Sequence, residues 1–194
     1  MREAFNIQLL TELKPDYMGL IFYPKSKRYV ASNEGLPKQD NIERVGVFVN
    51  STIAEIEEKA VAFELDLIQL HGDESVSFVK ELSLKGFRII KVFGVMDKLP
   101  IDEMKAYEPF MEYFLFDTKT SDYGGSGRKF EWEILKTYSL NKPFFVSGGI
   151  DLEDIETIKS MDLKMLHAID VNSRFELAPG VKDIDKIRKL KELL

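Results

Sequence analysis

An α/β barrel of the TIM (β/α)8 type, lacking its first strand, is what the 194-residue sequence predicts. Three observations point there. Short apolar runs alternate with amphipathic segments along the chain. Several of those runs are nearly continuous in Val, Ile, Leu and Phe, as in parallel strands covered on both faces. A polar or small residue stands at the end of most of them. Repeated strand–helix units imply a parallel sheet with right-handed crossovers. No linker, low-complexity segment or repeat divides the chain, so residues 1–194 read as one domain.

Taken in order, the chain opens on a helical pattern at 2–13, where a barrel should open on a strand. Apolar runs follow at 17–22, 45–49, 66–70, 87–93, 113–116, 144–146 and 166–171. Between them, 52–63 places Ile53, Ile56, Ala60 and Phe63 at helical spacing, with acidic residues largely opposite. Ser51 or Thr52 is its expected cap, with Glu55 in the capping-box position. The segment 73–82 opens on acidic residues, which suit a helix N-terminus, and 151–161 and 183–193 follow the same design. Pro100 interrupts the early part of a less regular segment at 97–107.

An open sheet and a closed barrel both satisfy this pattern, and the strand ends separate them. After successive runs come Lys25 and Arg28, Asn50, His71, Asp117, Gly148 and Gly149, then Asn172 and Ser173. In an open sheet ordered as in sequence, the outermost of these would lie about 29 Å apart at roughly 4.8 Å per strand interval. A barrel brings them to one mouth, which favours the barrel if they form one site. Seven runs are visible where the barrel needs eight strands, so a strand ahead of Met1 is expected to be missing. The edges thereby exposed are expected to face each other across an opening of about 10 Å.

Composition narrows the function. The formal charge is −6 and no long Lys/Arg block occurs, which argues against nucleic acid. No apolar run approaches a membrane span, and the first residues lack the pattern of a signal peptide. With no cysteine, neither a disulfide framework nor a thiolate zinc site is available. A cytoplasmic protein is expected. Lys25, Lys27 and Arg28 form the only short basic patch with aromatic neighbours; alone it fits a solvated loop, and a small anionic ligand is the better functional reading.

The segments GLIFYPKSKRYV, VGVFVN, LDLIQLHGDES, FLFDTK, GGSGRKFEW, FFVSGGI and PGVKD carry a resemblance. In this order and spacing, across nearly the whole chain, they resemble the phosphoribosylanthranilate isomerases of tryptophan biosynthesis. The family pattern starts with a strand ending in KxCG, and Met1–Arg2 match the two residues after that Cys-Gly. The resemblance therefore implies that the family's general-base cysteine is absent here and that activity of this chain is severely impaired. It implies an Amadori rearrangement of N-(5-phosphoribosyl)anthranilate, a small phosphosugar–anthranilate substrate, and neither metal nor redox cofactor.

Asp117 ends an apolar run, and a polar residue at the C-terminal end of a barrel strand reads as catalytic. Position alone fits a turn-starting Asp equally well; the DTK motif implies the general acid. His71 is expected at the mouth as a substrate-binding residue, and it is the substitute base to consider. His167, inside a late apolar run, reads as structural. Gly148 and Gly149 are expected to offer amides to a phosphate with help from the dipole of the following helix. A lone Gly pair is usually a turn, but Asn172, Ser173 and Arg174 one unit later make a phosphate site the better reading. Arg174 stands where the family commonly has Gly. Arg28 is expected on the anthranilate carboxylate, whose geometry a guanidinium matches, and the YGGSGRK loop at 123–129 is expected to act as a lid. Two rivals stay open: another phosphosugar-converting barrel, lacking here the lysines or metal ligands those families use, and a non-catalytic phosphate or anthranilate binder.

Overall fold

The computed structural model describes residues 1–33, 36, 41–118 and 131–194. All seven apolar runs are strands of one parallel sheet: β1 (Tyr17–Ile21), β2 (Glu43–Phe48), β3 (Leu67–Leu70), β4 (Ile89–Val95), β5 (Tyr113–Thr118), β6 (Phe144–Val146) and β7 (Leu166–Ile169). They are hydrogen-bonded in sequence order, with β1 and β7 at the edges. The sheet is curled. One face of every strand lines a single cavity, from Tyr17, Gly19 and Ile21 of β1 to His167 and Ile169 of β7.

Alternation along the strands produces two apolar layers. Val45, Leu67, Ile90, Val92, Tyr113, Leu115 and Phe145 pack inside the curl. Met18, Leu20, Phe48, Ile68, Phe114 and Phe144 belong to the outer core under the helices. Those helices are α1 (Ala4–Glu12), α2 (Ile53–Phe63), α3 (Val76–Leu84), α4 (Ile101–Tyr107), α5 (Ile155–Ser160) and α6 (Ile184–Leu193). Ile7, Ile56, Val79, Leu82 and Met104 present their buried faces to this layer. As expected, Thr52 caps α2 in a reciprocal capping box with Glu55.

Several expectations change. The curled seven-stranded sheet itself is as expected, and the changes are local. The β1 side carries the buried Met1, whose amino group donates to the Gly19 carbonyl at 3.1 Å. Helix α3 starts at Val76 with Ser75 as its cap; Asp73 and Glu74 precede it instead of forming its first turn. The segment after Asp151 begins as a 3-10 turn at Leu152–Asp154 before α5. Residues 132–137 form a 3-10 helix between β5 and β6, and an antiparallel hairpin of β8 (Glu176–Ala178) and β9 (Val181–Lys182) precedes α6. The hairpin is tied to the other end of the chain. The Asn6 amide of α1 donates to the Lys182 carbonyl at 2.9 Å and accepts from its N–H at 2.7 Å.

Candidate active site

A cavity of about 590 Å³ occupies the curl, and Arg28, His71, Asp117, Gly148, Gly149, Asn172, Ser173 and Arg174 all line it. Every site residue singled out in the sequence therefore meets at one place. The expected lid at 123–129 lies outside the described residues.

Asp117 is the penultimate residue of β5, with its side chain only 13% exposed. Its Oδ1 accepts from the Thr118 amide at 2.8 Å, which leaves Oδ2 directed at His71 Nε2, 3.4 Å away. The other ring nitrogen, Nδ1, lies 3.5 Å from the Gln69 amide nitrogen. His71 therefore has Gln69 on its Nδ1 side and Asp117 on its Nε2 side. A carboxyl and an imidazole thus share one edge of the cavity and can exchange a proton.

The turn after β6 comes close to this pair. Gly148 and Gly149 have φ of +98° and +65°, in the region that favours glycine. A Cβ on Gly148 would stand 2.4 Å from Thr118 Oγ1 and 3.0 Å from Asp117 Oδ1. The leading amides of the segment after Gly149 already have partners. The Leu152 amide is taken by Asp151 Oδ1 at 2.7 Å and the Asp151 amide by Asp154 Oδ2 at 2.7 Å, and Asp151 also pairs with Lys186 at 2.8 Å. Two amides of residues 151–152 are thus taken by carboxylates.

Opposite lie Asn172, Ser173 and Arg174, the last two in a short 3-10 turn. Lys182 organises this loop from behind. Its Nζ donates to the Val171 carbonyl at 3.0 Å, to the Asn172 carbonyl at 3.4 Å and to Asn172 Oδ1 at 3.0 Å. Burial holds the Lys182 ammonium below the usual lysine range, against the pull of Glu176 and Asp170.

Arg28 has a partner that sequence reading missed. Its Nε and Nη2 donate to the Glu176 carboxylate at 2.6 to 3.0 Å, and the Glu176 side chain is only 4% exposed. Burial pushes that carboxyl up, but bonds from Arg28 and the nearby Lys182 hold it below the usual range. Asp170, just past β7 and also lining the cavity, was missed as well. Burial pushes its carboxyl up; Lys182 and His71 oppose the shift and Asp117 adds to it. An acidic residue between VSGGI and NSR was the available signal. The expectations for Lys25, Lys27 and His167 hold: both lysines are exposed, and His167 Nε2 pairs with the Tyr17 hydroxyl at 2.7 Å while its ring stacks on Tyr113.

A curled parallel sheet with ionisable side chains and glycine turns at the C-terminal ends of its strands defines an α/β-barrel enzyme. Among such proteins, the sequence matches the family described as N-(5'phosphoribosyl)anthranilate (PRA) isomerase over residues 1–192. The chain belongs to this family, and it is an isomerase. It is 41% identical over 196 residues to N-(5'-phosphoribosyl)anthranilate isomerase of Parabacteroides distasonis, covering 97% of this chain and 87% of the relative. The crystal structure of phosphoribosyl anthranilate isomerase from Thermotoga maritima superimposes with a TM-score of 0.86 at 32% identity, over 100% of this chain and 94% of that one. A further isomerase structure, in complex with reduced 1-(o-carboxyphenylamino)-1-deoxyribulose 5-phosphate, matches at a TM-score of 0.79 and 27% identity, over 99% of this chain and 93% of that one.

Proposed function

We propose that this chain catalyses the Amadori rearrangement of N-(5-phosphoribosyl)anthranilate to 1-(2-carboxyphenylamino)-1-deoxyribulose 5-phosphate, in the cytoplasm. The observation that carries the reading is the single cavity holding a carboxyl–imidazole pair, a guanidinium and two amide-bearing turns. The relative bound to the reduced product analogue supports the ligand class.

Asp117 protonates the ribose ring oxygen, the C1–O bond opens, and the electron pair on the anthranilate nitrogen forms the C1=N iminium. Loss of the C2 proton gives the enol-amine, which tautomerises to the ketone. Protons move and no electrons are gained or lost overall, so the reaction requires no redox cofactor. Ribose phosphate is held by amides of Gly148, Gly149 and the 172–174 turn, with Arg174 as an added cation. Arg28 meets the anthranilate carboxylate through the guanidinium edge that Glu176 leaves open. The sequence contains no cysteine, so C2 deprotonation falls to a side chain such as His71. Without the general-base cysteine that the family resemblance implies, that step is slow, and kcat is lowered by about 10²–10⁴-fold, the range of one general acid–base group.

Turnover of N-(5-phosphoribosyl)anthranilate and equilibrium binding of the reduced product analogue, measured on the same preparation, test the reading. Slow turnover with tight analogue binding is expected. Binding without any turnover would make the chain a phosphate–anthranilate binder, and the absence of both would remove the reading altogether.

A further inference from the structure

A fully buried ion pair lies behind His71, and the chemistry above does not use it. Lys91 of β4 and Glu74, in the turn after β3, approach to 2.9 Å with side chains 4% and 2% exposed. Burying two charges is expensive, and apolar residues of similar size often serve stability as well or better. A role in setting geometry is therefore the more informative reading of such a pair.

What the pair holds is the backbone on both sides of His71. Lys91 Nζ donates to the Gly72 carbonyl at 2.6 Å and to the Leu70 carbonyl at 3.4 Å. Glu74 Oε1 accepts from the Asn50 amide at 2.9 Å, and both its oxygens accept from the Gly72 amide at 3.1 Å. Asn50 Oδ1 in turn accepts from the Asp73 amide at 2.8 Å. Space for anything more is lacking: a Cβ on Gly72 would lie 2.4 Å from Asn50 Oδ1 and 2.7 Å from Glu74 Oε1. His71 itself is anchored through its amide to the Phe48 carbonyl at 2.8 Å. Residues 70, 72, 73 and 74 are thus fixed around one imidazole, whose Nε2 lies 3.4 Å from Asp117.

We propose that Lys91 and Glu74 are positioning residues that clamp the 70–74 turn and so hold His71 against Asp117. The proposal rests on the isomerase reading for its kinetic consequence, but not for its structural one. Misplacement of a reacting group by about 1 Å can cost 10²-fold in rate, so the clamp acts on kcat and leaves substrate affinity largely alone.

The test is the double variant Lys91→Met/Glu74→Gln, which removes both charges together and leaves neither buried unpaired. The protein has two histidines, so proton NMR can follow each ring separately, with His167 as an internal control. The expected result is a change in the pH dependence of the His71 ring signals relative to wild type. The His167 curve should not move. In the same variant kcat should fall about tenfold or more, with KM within about threefold of wild type. An unmoved His71 curve overturns the proposal, whatever happens to kcat, because a rate loss without it is only general destabilisation. Should the double variant fail to fold, Gly72→Ala keeps both charges but presses a Cβ on Asn50 Oδ1 and Glu74 Oε1 and so forces the same turn apart, and its His71 curve is read in the same way. A wild-type protein that shows no turnover would sink the isomerase reading while leaving the NMR comparison valid. A wild type that turns over, with an unchanged His71 curve in the variant, would sink the clamp alone.

Discussion

At the residue scale the site is a balance of a few buried charges, and each can be perturbed separately. Asp117→Asn keeps the shape of the side chain and the contact with the Thr118 amide but cannot supply the acid proton. Turnover should fall by about 10²–10⁴-fold, with reduced-analogue affinity within about threefold; near-normal kcat would remove Asp117 from the acid role. Asp170 offers a test through pH. Its carboxyl is raised in the folded protein, chiefly by burial, so the folded state holds that proton more tightly than the unfolded one. Its contribution is therefore most favourable below the unfolded Asp value, about 3.9, and is lost as pH rises through the folded value. Asp170→Asn removes the ionisation and should melt at or above the wild-type temperature at neutral pH, the gap narrowing toward pH of about 4. Melting curves at the two pH values check this; a variant that is less stable only at neutral pH would show that the ionised carboxylate is stabilising. Asp117 was legible in the sequence because a strand end exposes its polar residue at a predictable place. The Arg28–Glu176 pair was not, since its partners are 148 residues apart and nothing local links them.

At the scale of elements, the seven strands were legible because a run of Val, Ile, Leu and Phe covered on both faces has few other stable destinations. The α2 cap was legible for a related reason: Thr52 and Glu55 satisfy each other's neighbouring amides within one turn. Misreadings arose where a local rule met a tertiary competitor. Asp73 and Glu74 look like first-turn acids, yet Lys91 draws Glu74 into the interior. Asp151 looks like the start of a dipole-bearing helix, but it and Asp154 consume the leading amides. The β8–β9 hairpin is too short for any periodicity to announce. The turn after β6 is the element most open to attack. Gly148→Ala adds a Cβ 2.4 Å from Thr118 Oγ1 at a φ of +98°, and backbone strain of this kind costs on the order of 1–3 kcal/mol. Titration with inorganic phosphate should show affinity reduced by about tenfold or more, equivalent to the loss of about 1.4 kcal/mol. Unchanged phosphate affinity in a folded Gly148→Ala protein would move the anion site off this turn.

For the whole molecule, the question is what holds the ends of the sheet in one curl when β1 and β7 are its edges. Interior packing supplies cohesion between neighbouring strands but does not by itself fix one end of the chain against the other. Tyr17 of β1 and His167 of β7 meet directly at 2.7 Å, and a second link lies outside the sheet, where α1 meets β9: Asn6 makes a reciprocal pair of hydrogen bonds with the Lys182 backbone across 176 residues of sequence. Both partners are buried, so water cannot readily replace either bond. The same Lys182 reaches the 171–172 carbonyls with its side chain, which makes closure and the shape of the 172–174 turn parts of one structure. Asn6→Ala leaves a buried N–H and a buried C=O unsatisfied, at about 1–3 kcal/mol for each group. Stability should fall by about 2–6 kcal/mol on that basis, and hydrogen-exchange protection should drop together in α1, β1, β7 and the hairpin, while β3 to β5 keep theirs. Phosphate affinity should weaken in the same variant, because the turn that Lys182 supports loosens with the hairpin. Protection lost in α1 alone, with the hairpin and the anion site unaffected, would show that Asn6 merely docks a terminal helix and that the curl is held by its interior packing.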